Sequence, residues 1–288
     1  MKGNKVHNSI LKLLIASVLT GGVAMAQTAW TSLDDGTKIK VISHRGEHLH
    51  HPENTLAAFQ AAIDAGADYI ELDVRTTSDG KFVLMHDGSL NRTTNGTGEV
   101  QKHTFAEIRA LDAGSKFSSA FAGTKVPTLD EAFDLAHGKI NVYVDTKNAD
   151  PQQLVDTIVR HDMQEHVVVY GNPFFLYDVH QILPALKIMP EAMSPDICKL
   201  LVRAMQPQVI AFDAHDFHDP VIGCAKDAKA KIYVDRLGDA DTPETWQKAI
   251  DLGAAGIQTN LPAELAGYLR AHNLATHTPS AQSTHASE

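Results

Sequence analysis

The sequence predicts an α/β protein, a (β/α)8 TIM barrel with a small insertion after the second strand. Eight short β-rich runs alternate with longer helical patterns along the 288 residues. Several helical runs begin with proline and several end at glycine, the residues that favour helix starts and helix ends. Polar side chains collect at the carboxyl ends of the predicted strands, where barrel enzymes carry their active sites.

Residues 1–26 have the pattern of a secretory signal peptide. A cationic start is followed by the apolar run ILKLLIASVLTGGVAMA, and Ala24-Met25-Ala26 fits the small-x-small cleavage rule. We expect cleavage before Gln27 and an exported protein, periplasmic or secreted. An uncleaved anchor is the alternative, but Lys12 and two glycines interrupt the apolar run. No later run is long and apolar enough to span a bilayer, so we expect no stable membrane insertion after cleavage.

The net charge argues against one class of partner, nucleic acids, and the two cysteines raise the question of a disulfide. The formal net charge is −10, and loss of the signal peptide removes Lys2, Lys5 and Lys12 but no acid, which gives −13. A chain this acidic, without a basic stripe, is a poor nucleic-acid binder. Export permits a disulfide, and the sequence leaves open whether Cys198 and Cys224 meet. The oligomeric state is not predicted.

The barrel is expected over residues 27–270, followed by a polar, disordered tail over 271–288. A first helix is predicted from about Glu53 to Ala65. The predicted strands are KVIS (40–43), YIELDV (69–74), INVYVDT (140–146), VVVY (167–170), LKIM (186–189), QVIAFD (208–213), KIYVD (231–235) and GIQT (256–259). The later helices are expected to open at Pro151, Pro173, Pro195, about Asp219, PETWQKAIDLG and PAELAGYLR. A doubly wound open sheet is the alternative, but its usual glycine-rich phosphate turn is missing.

The insertion is predicted over about residues 74–127. Asp79-Gly80 is a turn signal and FVLMH is a second strand, so we expect a hairpin beside the second barrel strand. A turn near Asp79 places His86 roughly opposite Glu71 or Leu72. The rest, including FAEIRALDAG, would cover the barrel mouth, and the helix at about 128–137 belongs to the barrel.

The acidic residues at the strand ends suggest a metal site. Glu71 and Asp73 are two apart on one strand, so both face the same side, about 7 Å apart. Asp145 on the neighbouring strand could supply a third carboxylate. One divalent cation, Ca²⁺ or Mg²⁺, would relieve their repulsion with oxygen ligands. The alternative is that these acids form structural ion pairs with Arg45 and Lys147.

Histidines and cations complete a phosphoryl-transfer set. His44 and His86 titrate near neutral pH, so one can take a proton while the other gives one. Arg45 and Lys147 suit an anionic group, with arginine offering a fork for phosphate oxygens. Three further strand-end residues are candidates for the pocket lining: Glu191, Asp213 and His215. The loop histidines His48, His50 and His51 are expected to face solvent.

These motifs closely resemble the glycerophosphodiester phosphodiesterase family. The resemblance rests on HRG…HPENT, ELDVRTTSDGKFVLMHD, LNRTTNGTG, LDAG and VPTLDEAF, and it is strong over about residues 40–147. It continues weakly to residue 262, where GIQTNLP is similar to the family's final strand and loop. The family fold is a TIM barrel with an insertion after the second strand.

The resemblance implies hydrolysis of glycerophosphodiesters to glycerol 3-phosphate and an alcohol, with Ca²⁺ or Mg²⁺. It implies that the glycerol 2-hydroxyl attacks phosphorus, that a histidine protonates the leaving alcohol, and that water opens the cyclic phosphate. By motif match the acid/base residues are His44 and His86, the metal ligands are Glu71, Asp73 and Asp145, and the substrate-binding residues are Arg45, Lys147 and Glu53. Glu53 would act by orienting Arg45 or His44.

Three departures from the family pattern concern the pocket. Asp145-Thr146-Lys147 stands where members usually have Glu-x-Lys. The penultimate strand ends Tyr233-Val234-Asp235-Arg236 where many members have an aromatic followed by Thr-Val-Asn. Thr259-Asn260-Leu261-Pro262 replaces Thr-Asp-x-Pro. The substrate therefore stays open: alternatives are a phospholipase D-like or phosphoinositide-cleaving enzyme on the same barrel, or a non-catalytic ligand-binding barrel.

Overall fold

The computed structural model describes residues 38–276. The strands are β1 (Lys40–Ser43), β2 (Tyr69–Thr76), β3 (Phe82–Leu84), β4 (Asn141–Thr146), β5 (Val167–Tyr170), β6 (Lys187–Met189), β7 (Val209–Phe212), β8 (Lys231–Arg236) and β9 (Gly256–Thr259). The helices are α1 (Leu56–Asp64), α2 (Phe105–Ala110), α3 (Leu129–Ala136), α4 (Pro151–Arg160), α5 (Pro173–Ile182), α6 (Pro195–Met205), α7 (Val221–Asp227), α8 (Pro243–Asp251) and α9 (Pro262–Ala271).

Eight of these strands form a parallel barrel, as predicted. The strand order is β6-β5-β4-β2-β1-β9-β8-β7, and β3 pairs antiparallel with β2 off this path. Between β6 and β7 the barrel closes only through a short bridge after β6. There Ala192 N–H donates to the Ala211 carbonyl at 2.9 Å, and Ala211 N–H donates to the Pro190 carbonyl at 3.0 Å.

The helices start largely where the sequence indicates, with proline in the first turn of α4, α5, α6, α8 and α9. The predicted start of the first helix at Glu53 is wrong. Asn54 has a left-handed backbone (φ 55°), which a helix cannot include, and the hydroxyl of Thr55 accepts the Ala58 N–H. The helix therefore begins at Leu56.

The apolar core has three parts. The largest packs the outer face of the sheet against the helices, with Phe59, Phe133 and Trp246 among its fully buried side chains. A smaller set fills the barrel interior: Ile42, Tyr69, Tyr143, Val168, Met189, Val209 and Tyr233. The third belongs to the insertion between β2 and α3: Val83, Met85, Leu90, Val100, Ile108, Ala113 and Val126. The insertion thus carries its own core against the barrel mouth.

A disulfide and contacts between the two ends of the described chain add to the barrel. Cys198 on α6 and Cys224 on α7 form a disulfide, with Cα atoms 6.3 Å apart. The chain past α9 returns to the barrel, where Ile39 N–H donates to the Leu274 carbonyl at 3.0 Å. Residues 271–276, which the sequence analysis assigned to the tail, are among the described residues. The predicted signal peptide and the tail from residue 277 lie outside the described residues. Among the helices of residues 38–276, none has the length and hydropathy needed to cross a membrane.

Candidate active site

Three carboxylates meet inside the barrel mouth. Asp73 on β2 is the register partner of Asp145 on β4, and Glu71 lies two residues before Asp73 on the same face. One oxygen from each of the three side chains lies within 4.8 Å of the other two. The predicted convergence of Glu71, Asp73 and Asp145 is therefore present.

The electrostatics of these acids differ. Burial, together with Asp73 and Asp145, raises the pKa of Glu71 well above its usual range. Burial also raises the pKa of Asp145. Burial opposes ionisation of Asp73 too, but Lys147 and a hydrogen bond from Asn54 outweigh it and lower that pKa. In the metal-free site ionisation is thus disfavoured at Glu71 and Asp145 and favoured at Asp73.

The donor set fits a hard divalent cation. Lys147 Nζ lies 2.9 Å from Asp73 Oδ1 and 2.6 Å from Asp145 Oδ2. These two acids therefore form the ion pairs that the sequence analysis gave as the alternative to metal binding. Glu71 forms no salt bridge within residues 38–276, and its Oε2 accepts only the Arg45 backbone N–H at 2.7 Å. A buried, mutually repelling oxygen set of this kind is suited to Ca²⁺ or Mg²⁺.

His44 follows β1 and is held by a neutral partner. Its Nδ1 lies 2.8 Å from Asn260 Oδ1. Because an amide oxygen only accepts, Nδ1 carries the proton and Nε2 keeps a free lone pair. Asn260 is fixed in turn by its N–H bond to Asp241 Oδ2 at 2.7 Å. Burial and then the charge of Arg45 lower the pKa of His44 to about 4, so His44 is neutral at pH 7.

His86 is delivered by the predicted hairpin. Val74 pairs with Leu84, and Met85 N–H donates to the Asp73 carbonyl at 2.9 Å, so His86 lies next to the carboxylates. Its Nδ1 contacts Asp87 Oδ1 at 2.9 Å, and its side chain is 38% exposed.

Asp87 stays ionised beside that ring. A hydrogen bond from Arg92, and a further one from His86, lower the pKa of Asp87 far below its usual range. The Nδ1 of His44 thus faces a neutral amide, whereas the Nδ1 of His86 faces an ionised carboxylate.

The predicted substrate-binding residues take two different places. Arg45 and Lys147 line the central cavity. Glu53 lies beside it and holds two arginines, with Arg45 Nη1 at 3.3 Å from Oε1 and Arg92 Nη1 at 2.6 Å from Oε2. Arg92 Nε also donates to Asp87 Oδ2 at 2.8 Å. Glu53 thus links the surroundings of Arg45 and His86.

Three positioning residues were not predicted from the sequence. Asn54 Nδ2 donates to Asp73 Oδ2 at 2.7 Å, and Asp73 N–H donates back to Asn54 Oδ1 at 3.0 Å. Asn260 fixes His44, and Arg92 fixes Asp87. The sequence did carry a signal for Asn54, because asparagine inside PENT tolerates the left-handed backbone of a tight turn. It carried no signal for the contact of Arg92 with Glu53, since the two residues lie in distant segments.

The loop histidines surround the site without entering it. His48 Nδ1 donates to the His44 carbonyl at 2.7 Å. His50 and His51 both contact Glu47, at 2.8 and 2.7 Å. None of the three lines the central cavity.

The central cavity has a volume of about 300 Å³ and two unlike sides. One side, the metal half, consists of His44, Arg45, Glu71, Asp73, His86, Asp145 and Lys147. The other, the acidic wall, consists of Tyr170, Glu191, Asp213, Asp235 and Gln258. Glu191 and Asp213, which were predicted to line the pocket, do so. His215, the third candidate, does not line the cavity, and its ring contacts Asp213 and Asp216.

Comparison with known proteins agrees with this architecture. Residues 44–212 match the glycerophosphoryl diester phosphodiesterase family. A glycerophosphodiester phosphodiesterase of Caldanaerobacter subterraneus subsp. tengcongensis is 36% identical over 247 residues, which are 81% of this chain and 98% of that protein. One from Bacillus subtilis is 37% identical over 204 residues, 62% of this chain and 69% of that protein.

A solved structure shows the same fold. The crystal structure of a glycerophosphodiester phosphodiesterase from Agrobacterium tumefaciens superposes with a TM-score of 0.72 at 30% identity, covering 78% of this chain and 97% of that one. The predictions of a TIM barrel and of a phosphoric diester hydrolase are confirmed. By fold, by sequence and by its strand-end residues, this chain belongs to the glycerophosphodiester phosphodiesterase family.

Proposed function

We propose that this enzyme hydrolyses glycerophosphodiesters to glycerol 3-phosphate and an alcohol, using one divalent cation held by Glu71, Asp73 and Asp145. The observation that carries the proposal is the convergence of these oxygens within 4.8 Å of one another. Arg45 and Lys147 line the same cavity and are suited to bind a phosphate there. When bound, the cation supplies positive charge that offsets the acids and stabilises charge developing on the substrate.

The two histidines divide the proton transfers. His44 is neutral and presents Nε2, so it takes the proton from the glycerol 2-hydroxyl. As the 2-oxygen bonds to phosphorus, His86, whose Nδ1 lies 2.9 Å from Asp87 Oδ1, gives a proton to the leaving alcohol, and water then opens the cyclic phosphate to glycerol 3-phosphate by the reverse proton transfers. Arg45 and Lys147 hold the non-bridging phosphate oxygens, and Arg45 is kept in place by Glu53.

Release of glycerol 3-phosphate from glycerophosphocholine tests the proposal. We expect activity with added Ca²⁺ or Mg²⁺ and its loss with EDTA. His44→Ala and His86→Ala should each lower kcat by about 100-fold or more, because each removes one proton transfer. The matched control is His50→Ala, whose ring is 79% exposed and contacts Glu47. Full activity of either catalytic variant, or activity that survives EDTA, would contradict the proposal.

We also propose that the enzyme is exported, with cleavage before Gln27. The disulfide between Cys198 and Cys224 supports this, because such bonds persist mainly in oxidising compartments. N-terminal sequencing of the protein recovered from cell fractions tests it. A chain found in the cytosol with residue 1 intact would overturn the proposal.

A further inference from the structure

The acidic wall draws one group from each of five consecutive strands or their ends. Tyr170 ends β5, Glu191 follows β6, Asp213 follows β7, Asp235 is on β8 and Gln258 is on β9. Asp235 and Gln258 are register partners, so they stand side by side in the cavity. The wall lies across the cavity from the metal half.

The wall offers acceptors without matching cations. Within the described chain, Asp235 and Glu191 form no salt bridge, and Asp213 pairs only with the largely exposed His215 at 3.0 Å. The neighbouring Arg236 is turned away, because its Nη1 donates to the Asp235 carbonyl and its guanidinium lies 5.0 Å from the Phe217 ring centre.

Gln258 gives an independent sign that a ligand belongs there. Its side chain lines the cavity and is only 6% exposed, yet its Oε1 has no hydrogen-bond partner. A buried amide oxygen without a donor is unfavourable and rare in native proteins. A ligand that brings a donor to this position would satisfy the Gln258 oxygen.

The charge balance of the cavity indicates what kind of donor. Six carboxylates line it against the two cations Arg45 and Lys147. A divalent cation would leave the cavity negative, and a phosphodiester adds another negative charge. Burial, and next the charges of Asp213 and Glu191, raise the pKa of Asp235 to about 7. A positive charge on the substrate would relieve this repulsion.

We propose that the acidic wall is a subsite for a cationic amino-alcohol headgroup, so that the enzyme prefers glycerophosphodiesters of choline or ethanolamine over neutral or anionic ones. The inference rests on the proposed function, in which the phosphate occupies the metal half. The ammonium group then lies between Asp235 and Glu191. Gln258 Oε1 accepts an N–H from a primary ammonium, and the ring of Tyr170 offers a face to a quaternary one.

Headgroup selectivity measures this directly. We expect the wild-type kcat/KM to be at least about tenfold higher for glycerophosphocholine or glycerophosphoethanolamine than for glycerophosphoglycerol or glycerophosphoinositol. Asp235→Asn should lower that ratio about tenfold, by weakening hydrolysis of the cationic substrates and easing entry of the others. The matched control Asp239→Asn removes the same charge at an exposed site outside the cavity lining and should keep the ratio.

A binding measurement separates the two possible failures. Choline chloride should compete with glycerophosphoglycerol in the wild type, more strongly than NaCl at equal ionic strength, and less in Asp235→Asn. Equal hydrolysis of all headgroups, with no choline competition, would overturn the subsite and leave the phosphodiesterase intact. If no diester releases glycerol 3-phosphate, the proposed function fails. Calorimetric titration with choline then still decides the subsite, and undetectable wild-type binding overturns it.

Discussion

His44 and His86 lie in opposite electrostatic surroundings. His44 is half-buried beside Arg45 and paired with the neutral amide of Asn260, and its pKa is lowered to about 4, so its ring stays uncharged. His86 is partly exposed and paired with the ionised carboxylate of Asp87. Two chemically identical side chains therefore have unlike partners, a neutral amide and a carboxylate, which suits the different roles that the proposed reaction gives them.

Replacing Asn260 with aspartate should change the pH profile. A carboxylate at 2.8 Å from His44 Nδ1 would favour the charged imidazole and raise the pKa of His44. In the proposed mechanism only neutral His44 acts as the base, so a raised pKa of His44 means that, as the pH is lowered, activity falls off at a higher pH than in the wild type. We expect the acidic limb of kcat/KM to move up by about one pH unit or more in Asn260→Asp. The exposed control Asn273→Asp should leave it in place, and an unmoved limb in Asn260→Asp would argue against His44 as the base.

Replacing Glu71 with glutamine should separate stability from metal binding. The raised pKa of Glu71 means that metal-free protein loses stability as pH rises above the ordinary glutamate range, because the unfolded chain ionises first. Glu71→Gln removes this loss, so the metal-free Tm at pH 7 should stay equal or rise. Ca²⁺ should no longer raise the Tm, and activity should fall by about 100-fold. The control is Glu244→Gln, at an exposed position in the first turn of α8. If Ca²⁺ raises the Tm of Glu71→Gln as much as that of the wild type, Glu71 is not a metal ligand.

At the scale of elements, the turn between β1 and α1 sets the geometry of the site. Arg45, Gly46 and Asn54 all have positive φ angles. This path brings the Arg45 N–H to Glu71 and the Asn54 amide to Asp73. The turn is also packed tightly, since a Cβ on Gly46 would meet the Ala58 backbone carbon at 2.7 Å.

Gly46→Ala should therefore displace the turn. Gly138→Ala is a matched control, because Gly138 has a similar φ of 74° and open space where the Cβ would lie. The control isolates backbone strain, and the extra contact at Gly46 should cost about 2 kcal/mol more in the free energy of unfolding. Denaturant titration of the three proteins measures the difference, with activity falling in Gly46→Ala. Equal stability of the two variants would contradict the close contact.

At the scale of the whole molecule, the barrel has one weak seam. β6 has three residues and joins β7 through the bridge near Glu191 and Ala211, whereas β2 and β4 share six register pairs. The disulfide joins α6 and α7, the helices that follow these two strands. It therefore braces the barrel where its sheet is least continuous.

Hydrogen exchange should reveal the seam. We expect the amides of β6 and β7 to exchange faster than those of β2 and β4, since fewer backbone bonds must open. Reduction of the disulfide, or Cys198→Ala with Cys224→Ala, should accelerate exchange there more than elsewhere. The same double variant should lower the free energy of unfolding by about 3 kcal/mol. Uniform exchange around the barrel in both forms would show that the seam is not weak.

The sequence by itself determined the barrel and the chemical character of its mouth. Strand and helix periods, proline at helix starts and polar strand ends are local signals, so they specify the alternation of elements without tertiary information. The convergence of Glu71, Asp73 and Asp145 followed because two of them share a strand and the third ends its neighbour. His86 followed from a hairpin whose turn is local.

Only the tertiary structure decided the partners of these residues. The Asn260 bond to His44 joins residues 216 positions apart, and the Arg92 link to Glu53 spans 39. Such pairs depend on how strands β1 and β9 and the insertion are brought together, and no short-range pattern carries that information. The disulfide and the acidic wall arise in the same way, since barrel closure places side chains from distant segments around one cavity.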